Sequence, residues 1–528
     1  MSFFLTLLIA FPLLAGLAVM VFSSPDDGDF PRWGALVAAV VNTCASLGLL
    51  SGALAGEHGW LLRSFEEKRA WVEAFGIHYW LRVDGFSTFL ILLTTVATSV
   101  AVAASWNSVK SRAHIYFGSI LVLSGAMIGV LASADLFLFY VFWEIMLLPA
   151  LFLLGIFGGS LRRDALYKFV IYTMVGSLLM LVGVVFLGAQ HLAARGTWDF
   201  GFDALYGLPL SPGAASWAFL AFVAAFAIKA ALFPFHTWLP TAYSQAPMPV
   251  TFLLSAVMAK LGVYGLLRIA MPMFPDAAQT AAPYLAALAV AGVIYAAFAA
   301  LAQDDAKLLV AYASVSHLGV ILLGAFSFSQ QAVVGTVFHL IGHAVTTGAL
   351  FLLVGFMAER RGSTLISDWG GAARVMPVFA TFFMLMMLAA VGLPGLSAFV
   401  GEFLILFGAF RDYAVLAALA ATSIILGAAY MLWWYQRTMF GAVTQPEVAR
   451  LKDLTLREGA LLLPIMLAVI GLGVYPQPVV SAITPASVQY LARFGVEPDK
   501  SPTASPKNLE PLRHQSREHA HQEPVTSH

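Results

Sequence analysis

The chain has 528 residues, 60% of them hydrophobic and only 11% charged, against about 25% charged in ordinary soluble domains. Apolar runs of about 20 residues recur along it, each long enough to cross a hydrocarbon core, so soluble globular classes are excluded. Twenty-eight bases balance 28 acids, which points to no polyanionic partner such as nucleic acid. The single cysteine, Cys44, excludes an intrachain disulfide and any cysteine-held cluster or zinc site.

In chain order the apolar spans fall near 2–22, 33–54, 86–106, 114–133, 135–158, 166–188, 215–245, 249–271, 283–302, 307–326, 330–358, 375–411, 412–440 and 458–480. These fourteen spans predict an all-α polytopic membrane protein. The first run is too long for a signal-peptide core and lacks a basic leader, so it is expected to remain as a span. Cys44, inside the second, is expected to be a small buried hydrophobe. The run 215–245 is interrupted at Pro234 and Pro240, and 375–411 at Gly392-Leu393-Pro394-Gly395, so both read as broken helices. Alternate loops are richer in Lys and Arg: Arg32, Lys110, Arg112, Arg162, Arg163, Lys168, Lys307, Arg360, Arg361, Arg374, Arg437, Arg450, Lys452 and Arg457. That set should face the cytoplasm, which leaves both termini on the outer side of the bacterial inner membrane. From about 493 onward the sequence is rich in Pro, Ser and His and is expected to be a disordered polar tail.

Spans four to eight and nine to thirteen form two blocks of five. Five is odd, so the second block starts on the opposite side of the membrane. In each block the fourth member is the broken one, the pattern of inverted repeats around a hydrated site. The predicted organisation is therefore N-terminal helices and an outer loop (1–113), a first five-helix repeat (114–271), a second (272–440), a C-terminal transmembrane helix (441–492) and the tail (493–528).

Four ionisable residues lie deep in apolar runs: Glu144, Lys229, Lys260 and Glu402. A charge at the bilayer centre costs about 2.5–3.5 kcal/mol on insertion scales, so several together point to an ion or proton path. Lysine suits such a path because its proton affinity moves readily with burial and with the distance of a carboxylate. Glu144 is the expected partner of Lys229, Lys260 the next station, and Glu402 the terminal acceptor. His236, His317, His339 and His343 fill the gaps, with Ser314, Ser316, Thr346 and Thr347 supplying hydroxyls for a water chain. His339 and His343 share one helix face, a spacing that also suits a metal. No carboxylate or cysteine accompanies them on that span, and the relay reading is preferred to metal binding. Taken singly, each of these polar groups is equally compatible with helix packing. Arg268 is expected to snorkel and Asp135 to cap a helix. No Gly-rich nucleotide fingerprint or Walker lysine is present, so this chain is not expected to bind NADH itself.

These stretches resemble the antiporter-like, proton-pumping membrane subunits of respiratory complex I, NADH:quinone oxidoreductase. The likeness lies in FYVFWEIMLLPALFLLG (139–155), FAIKAALFPFHTWLPTAYSQAP (226–247), AKLGVYGLLRIAMPMFP (259–275), LLVAYASVSHLGV (308–320) and VGLPGLSAFVGEFLILFGAF (391–410). The resemblance implies that Glu144 and Lys229 are the family's glutamate–lysine pair, Lys260 its central lysine and Glu402 its exit residue. Glutamate at 402 points away from the sister chains L and N, which usually carry lysine there. So does the chain's end near fourteen spans, without chain L's long lateral helix. After Trp238-Leu239-Pro240 the family often continues Asp-Ala-His, whereas this chain has Thr241-Ala242-Tyr243, so no proton-uptake role is assigned there. The implied partners are the other membrane-arm subunits, especially L and N, and the lipid bilayer. NADH, FMN, iron–sulfur clusters and quinone are implied to sit in other subunits, with no cofactor or metal in this chain. Two other readings stay open on the residues alone: a subunit of a sodium/proton antiporter or membrane-bound hydrogenase, and a structural membrane subunit whose charges only join helices.

Overall fold

Inside hydrocarbon every backbone N–H and C=O has to be satisfied within the chain, which leaves the helix as the spanning element for a sequence without barrel alternation. In the computed structural model, which describes residues 3–24, 29–54, 65–443 and 445–497, helices dominate accordingly. They run α1 (Phe4–Phe22), α2 (Asp29–Leu54), α3 (Gly85–Ala104), α4 (Ala113–Ala132), α5 (Leu136–Ile145), α6 (Leu147–Phe157) and α7 (Arg162–Arg195). Next come the short α8 (Phe202–Leu205), α9 (Pro212–Lys229), α10 (Trp238–Gln245), α11 (Met248–Met273), α12 (Pro275–Leu301), α13 (Ala306–Ala325) and α14 (Gln330–Arg361). The last are α15 (Pro377–Val391), α16 (Ser397–Asp412), α17 (Ala414–Met439), α18 (Leu456–Val474) and α19 (Gln477–Ala492).

Among the described residues, 13 helices are long and apolar enough to cross a membrane, α5 and α6 counting together as one. The remaining expected span is the interrupted pair α15 and α16, each arm too short to cross alone. Burial sorts these helices into an inner and an outer set. The most apolar stretch of α11 is wholly buried, and that of α14 is 94% buried, whereas that of α18 is only 22% buried. Outer helices turn apolar side chains outward, as Leu178, Val182 and Val185 do on α7, which is the surface a hydrocarbon solvent favours. Inner helices are the ones that carry Lys260, His317, His339 and His343.

The two ends of the bundle differ. At one end β1 (Glu66–Val72) and β2 (Ile77–Arg82) form an antiparallel hairpin pairing Glu66 with Arg82. The sequence reading expected only a loop here. The turn needs Gly76, at φ 59°, because a β-carbon would stand 1.9 Å from the Trp198 carbonyl oxygen. The hairpin end also holds three carboxylates that take up free helix-start N–H groups. Glu67 accepts from Leu5 N (2.7 Å), and Asp84 from Phe86 N and Ser87 N (both 3.0 Å). Asp135 accepts from Phe137 N (2.9 Å) and Leu138 N (3.0 Å), so its expected capping role is realised. The opposite end carries Arg112, Arg162, Arg360 and Lys452 and is the basic end.

Three further expectations change. Cys44 is exposed on the outer side of α2 rather than buried. The last apolar span stops at Val474, and after Tyr475-Pro476 the chain turns into the separate helix α19, which packs on α3 and α14. Ahead of Pro476, Tyr475 is pushed away from helical backbone, which ends α18 there. The polar tail begins later than position 493, because the Arg493 guanidinium lies 3.7 Å from the Tyr206 ring centroid and the Phe494 ring 4.9 Å from that of Phe328. Residues 498–528 of the expected tail lie outside the described residues.

Candidate functional site

The first break opens directly after Lys229. Proline has no N–H to donate and its ring displaces the carbonyl one turn earlier, so Pro234 stops α9 although Ala230-Ala231-Leu232-Phe233 is apolar. Ala231 turns to φ 55°, and the freed carbonyl of Ile228 accepts from Trp238 Nε1 at 2.7 Å. Lys229 is thereby left at the C-terminal end of α9, where the helix dipole favours a cation. Its ammonium lies 5.4 Å from the ring centroid of Trp143 and 5.9 Å from that of Phe169. Glu144, next after Trp143 near the end of α5, is the charge that acts on Lys229, yet no ion pair of 4 Å or less joins them. Glu144 Oε1 is buried and has no protein partner. The expected pair is thus brought together without touching.

Lys260 follows a π-helical turn at Leu254–Met258, and a second such turn spans Leu266–Ala270. A π turn misaligns the backbone ladder and presents a carbonyl to side chains. Here the Ser255 carbonyl oxygen accepts from Lys260 Nζ, which is fully enclosed. Gly262 allows this helix to press on the end of α9. A β-carbon on Gly262 would stand 2.5 Å from Ala230 N and 2.6 Å from the Phe226 carbonyl oxygen. The segments bearing the two lysines therefore meet at backbone distance.

Three imidazoles converge beyond Lys260. Ring centroids of His317 and His343 are 5.4 Å apart, of His317 and His339 5.9 Å, and of His339 and His343 6.2 Å. Lys260 acts electrostatically on all three. Both ring nitrogens of His317 and of His343 are buried without a protein hydrogen-bond partner, an arrangement that buried polar groups rarely sustain without solvent. Among the described residues no group of three or more His, Cys, Asp or Glu side chains is arranged to hold a metal ion.

Glu402 stands on α16 just past the second break, where Gly392 (φ 85°) and Gly395 (φ 91°) flank Pro394. Its Oε1 accepts from Ser423 Oγ at 3.2 Å, and its Oε2 lies over Gly392, 3.1 Å from where a β-carbon there would be. Close packing of α16 on α14 runs through small residues, the usual device for bringing membrane helices together. Gly342 admits the Ser397 carbonyl, and Thr346 Oγ1 lies 3.1 Å from Ser397 Oγ. Gly401, adjacent to Glu402, rests on His339.

His236 is not brought into this row. It stacks on Phe233 (centroids 5.5 Å) and meets Tyr295 (5.1 Å) on the far side of the first break. Lys307, counted from sequence as a loop base, is instead buried and donates to the Ala246 carbonyl at 2.5 Å. It sits in the first turn of α13, an apolar helix capped by Asp305, whose Oδ1 accepts from Leu308 N. Near the departure from the family pattern, Lys168 Nζ lies 3.5 Å from Thr241 Oγ1, while the Tyr243 hydroxyl is buried without a partner. Arg268 does not snorkel. It pairs with Asp84 at 2.5 Å, and although burial alone raises the Asp84 pKa, the guanidinium and the capping N–H groups hold it below the usual value.

Buried charges strung along interrupted helices in a polytopic bundle are the build of an antiporter-like membrane protein. Residues 133–427 match the family described as NADH:quinone oxidoreductase/Mrp antiporter, TM. The NADH-quinone oxidoreductase subunit M of Rhodobacter capsulatus is 40% identical over 497 residues, covering 92% of this chain and 96% of the relative. A chain of respiratory complex I from Thermus thermophilus with bound NADH superposes with a TM-score of 0.84 at 33% identity, over 93% of this chain and all of that one. A chain of the Mrp complex from Dietzia sp. DQ12-45-1b gives 0.79 at 22% identity, over 94% of this chain and all of that one, a likeness of fold. The chain belongs to the NADH:quinone oxidoreductase/Mrp antiporter family, among the M subunits of NADH-quinone oxidoreductase.

Proposed function

We propose that this chain is the proton-translocating M-type subunit in the membrane arm of an NADH:quinone oxidoreductase, set beside the sister antiporter-like chains L and N. Electron transfer from NADH to quinone would take place in other subunits, which would hold the NADH, FMN, iron–sulfur and quinone sites. What carries the reading is a row of ionisable side chains, all buried except the half-buried Glu144, on helices that touch at glycines. It runs from Glu144 and Lys229 through Gly262 to Lys260, His317, His343 and His339, then through Gly401 to Glu402.

In this reading Glu144 sets whether Lys229 holds its proton, Lys260 passes it on, and the histidines hand it to Glu402 through ordered water. The gap between Glu144 and Lys229 supports a switch, because closing it would strengthen the attraction that holds the proton on Lys229. Lys307 and His236 serve the basic end, where protons would be taken up. That end faces the cytoplasm, both termini face outward, and the membrane is the bacterial inner membrane. The matched breaks after Lys229 and before Glu402 support two inverted five-helix repeats, 114–271 and 272–440.

The test uses membranes carrying Glu144→Ala or Lys229→Ala. NADH-driven proton uptake should be lost while assembled complex remains. Wild-type pumping by both variants would refute the path. Loss of assembly would support the structural alternative, since an orphaned buried charge is strongly destabilising.

A further inference from the structure

Two cavities occupy one crevice where α3 and α18 approach the basic end. The deeper is an apolar groove of about 330 Å³ between α2, α3 and α18. Val40, Val96, Pro464 and Ala468 form its exposed rim, and Ala97, Ala256 and Ala344 its buried floor. The shallower is a polar cavity of about 480 Å³ lined by Asn107, Glu359, Arg360, Lys452, Arg457 and Glu458, among others. They are successive storeys. Ala103 lines the groove and Asn107, one turn on, the polar cavity; Ala460 lines the groove and Arg457, one turn back, the polar cavity.

Length and charge identify the occupant. From Leu93 to Ala103 the groove follows α3 for roughly 15 Å at about 1.5 Å per residue, which is half of a hydrocarbon core of about 30 Å, or one leaflet. Most charges at the mouth are already engaged. Arg360 binds Glu458 through both Nη atoms (2.7 Å each), and Asp453 accepts from Val378 N (2.8 Å) and Phe379 N (2.9 Å). Lys452 is exposed, and Arg457 Nη1 is buried with no protein hydrogen-bond partner. Glu359 is the acid facing Arg457. The lining bases and acids balance at three each, so what the mouth offers a phosphate is the exposed Lys452 ammonium and the unpartnered Arg457 Nη1.

We propose that this crevice binds an anionic diacyl phospholipid of the basic-end leaflet, its phosphate at Arg457 and Lys452 and one acyl chain in the groove. The floor gives the lipid a role. Ala256 belongs to the π turn whose Ser255 carbonyl holds Lys260, and Ala344 directly follows His343. The acyl chain therefore packs against the outer side of both elements, supplying dispersion contacts that an unfilled groove lacks.

Labelling tests this independently of proton pumping. The assembled complex is placed in phosphatidylcholine vesicles with a trace of phosphatidylglycerol bearing a diazirine on its acyl chain, irradiated, and its peptides analysed by mass spectrometry. Label should fall on 93–103 and 460–468 of this chain. It should drop several-fold in Ala460→Trp/Ala468→Trp, which fills the groove from its exposed rim. It should also drop in Lys452→Gln/Arg457→Gln, and with a phosphatidylcholine probe of the same chain. Unchanged labelling in the groove-filled variant would overturn the site, and equal labelling by both probes would overturn the phosphate assignment. Capture of a neighbouring subunit by a photocrosslinker at Val96 would also overturn it, making the groove a protein interface.

Discussion

Gly401 rests on His339 so closely that a β-carbon at Gly401 would stand 2.5 Å from the His339 β-carbon and 2.7 Å from its α-carbon. No rotation of a side chain relieves contacts of that kind. The residue beside the terminal carboxylate and the residue at the edge of the imidazole trio are thus held at backbone distance by the absence of one methyl group.

Gly401→Ala should push α16 off α14 and lower NADH-driven pumping several-fold in assembled complex. Overpacking of this kind costs about 1–3 kcal/mol. Gly471→Ala is the control, since its β-carbon meets nothing within 4 Å and alanine suits a helix. Equal pumping by the two variants would show that the crossing does not set the position of Glu402.

Gly262→Ala is the corresponding change between the lysines, where the β-carbon would meet Ala230 N at 2.5 Å. Pumping should fall with the complex still assembled. Gly471→Ala serves again as the control, and equal pumping by Gly262→Ala and Gly471→Ala would show that this contact does not position the lysines.

How much of this was legible before the structure depends on what each signal measures. Glu144, Lys229, Lys260 and Glu402 stood out because a charge in an apolar run is costly wherever the run folds. The breaks stood out because Pro234 and Pro394 disrupt a helix locally. Lys307 did not, because position near a span end says nothing about whether a side chain points to solvent or tucks under the Ala246 carbonyl. The π turns around Lys260 have no local marker, since Leu254–Met258 is ordinary helical sequence. Gly262 and Gly401 were invisible as contacts, because glycine is common in membrane helices and only the partner helix reveals which ones touch. The hairpin lies outside the apolar runs by which spans are counted, and the expected span 458–480 runs across the Tyr475-Pro476 break that separates α18 from α19.

The Asp84–Arg268 pair ties the start of α3 to the second π turn of α11 and is nearly enclosed, with side chains 17% and 15% exposed. Asp84→Asn should destabilise the subunit by about 3–5 kcal/mol, because it orphans a buried guanidinium. Asp84→Asn/Arg268→Met, in which asparagine can still cap α3, should recover most of that loss. The lowered Asp84 pKa sets the sign with pH. Its contribution is present above the unfolded-state carboxyl value and is lost as pH falls through the folded-state value. Thermal unfolding of the purified complex against pH measures this, and a double variant no more stable than Asp84→Asn would refute it.

Lys260→Arg separates the relay from a fixed charge. A relay group has to release its proton; lysine does so when its surroundings change, whereas arginine stays protonated. A lysine that only satisfied the Ser255 carbonyl would be replaced by arginine with modest loss, since a guanidinium also donates to a carbonyl. Size is the competing cause of failure, because Lys260 is only 1% exposed and the guanidinium is larger. Lys260→Met provides the check, as it removes the charge in a side chain of similar length. Pumping is measured per assembled complex in both variants and in the unsubstituted protein. The relay role predicts that arginine and methionine both abolish pumping while assembly persists in the methionine variant. Near-wild-type pumping by Lys260→Arg would leave Lys260 as a fixed charge, and pumping by Lys260→Met would remove it from the path altogether.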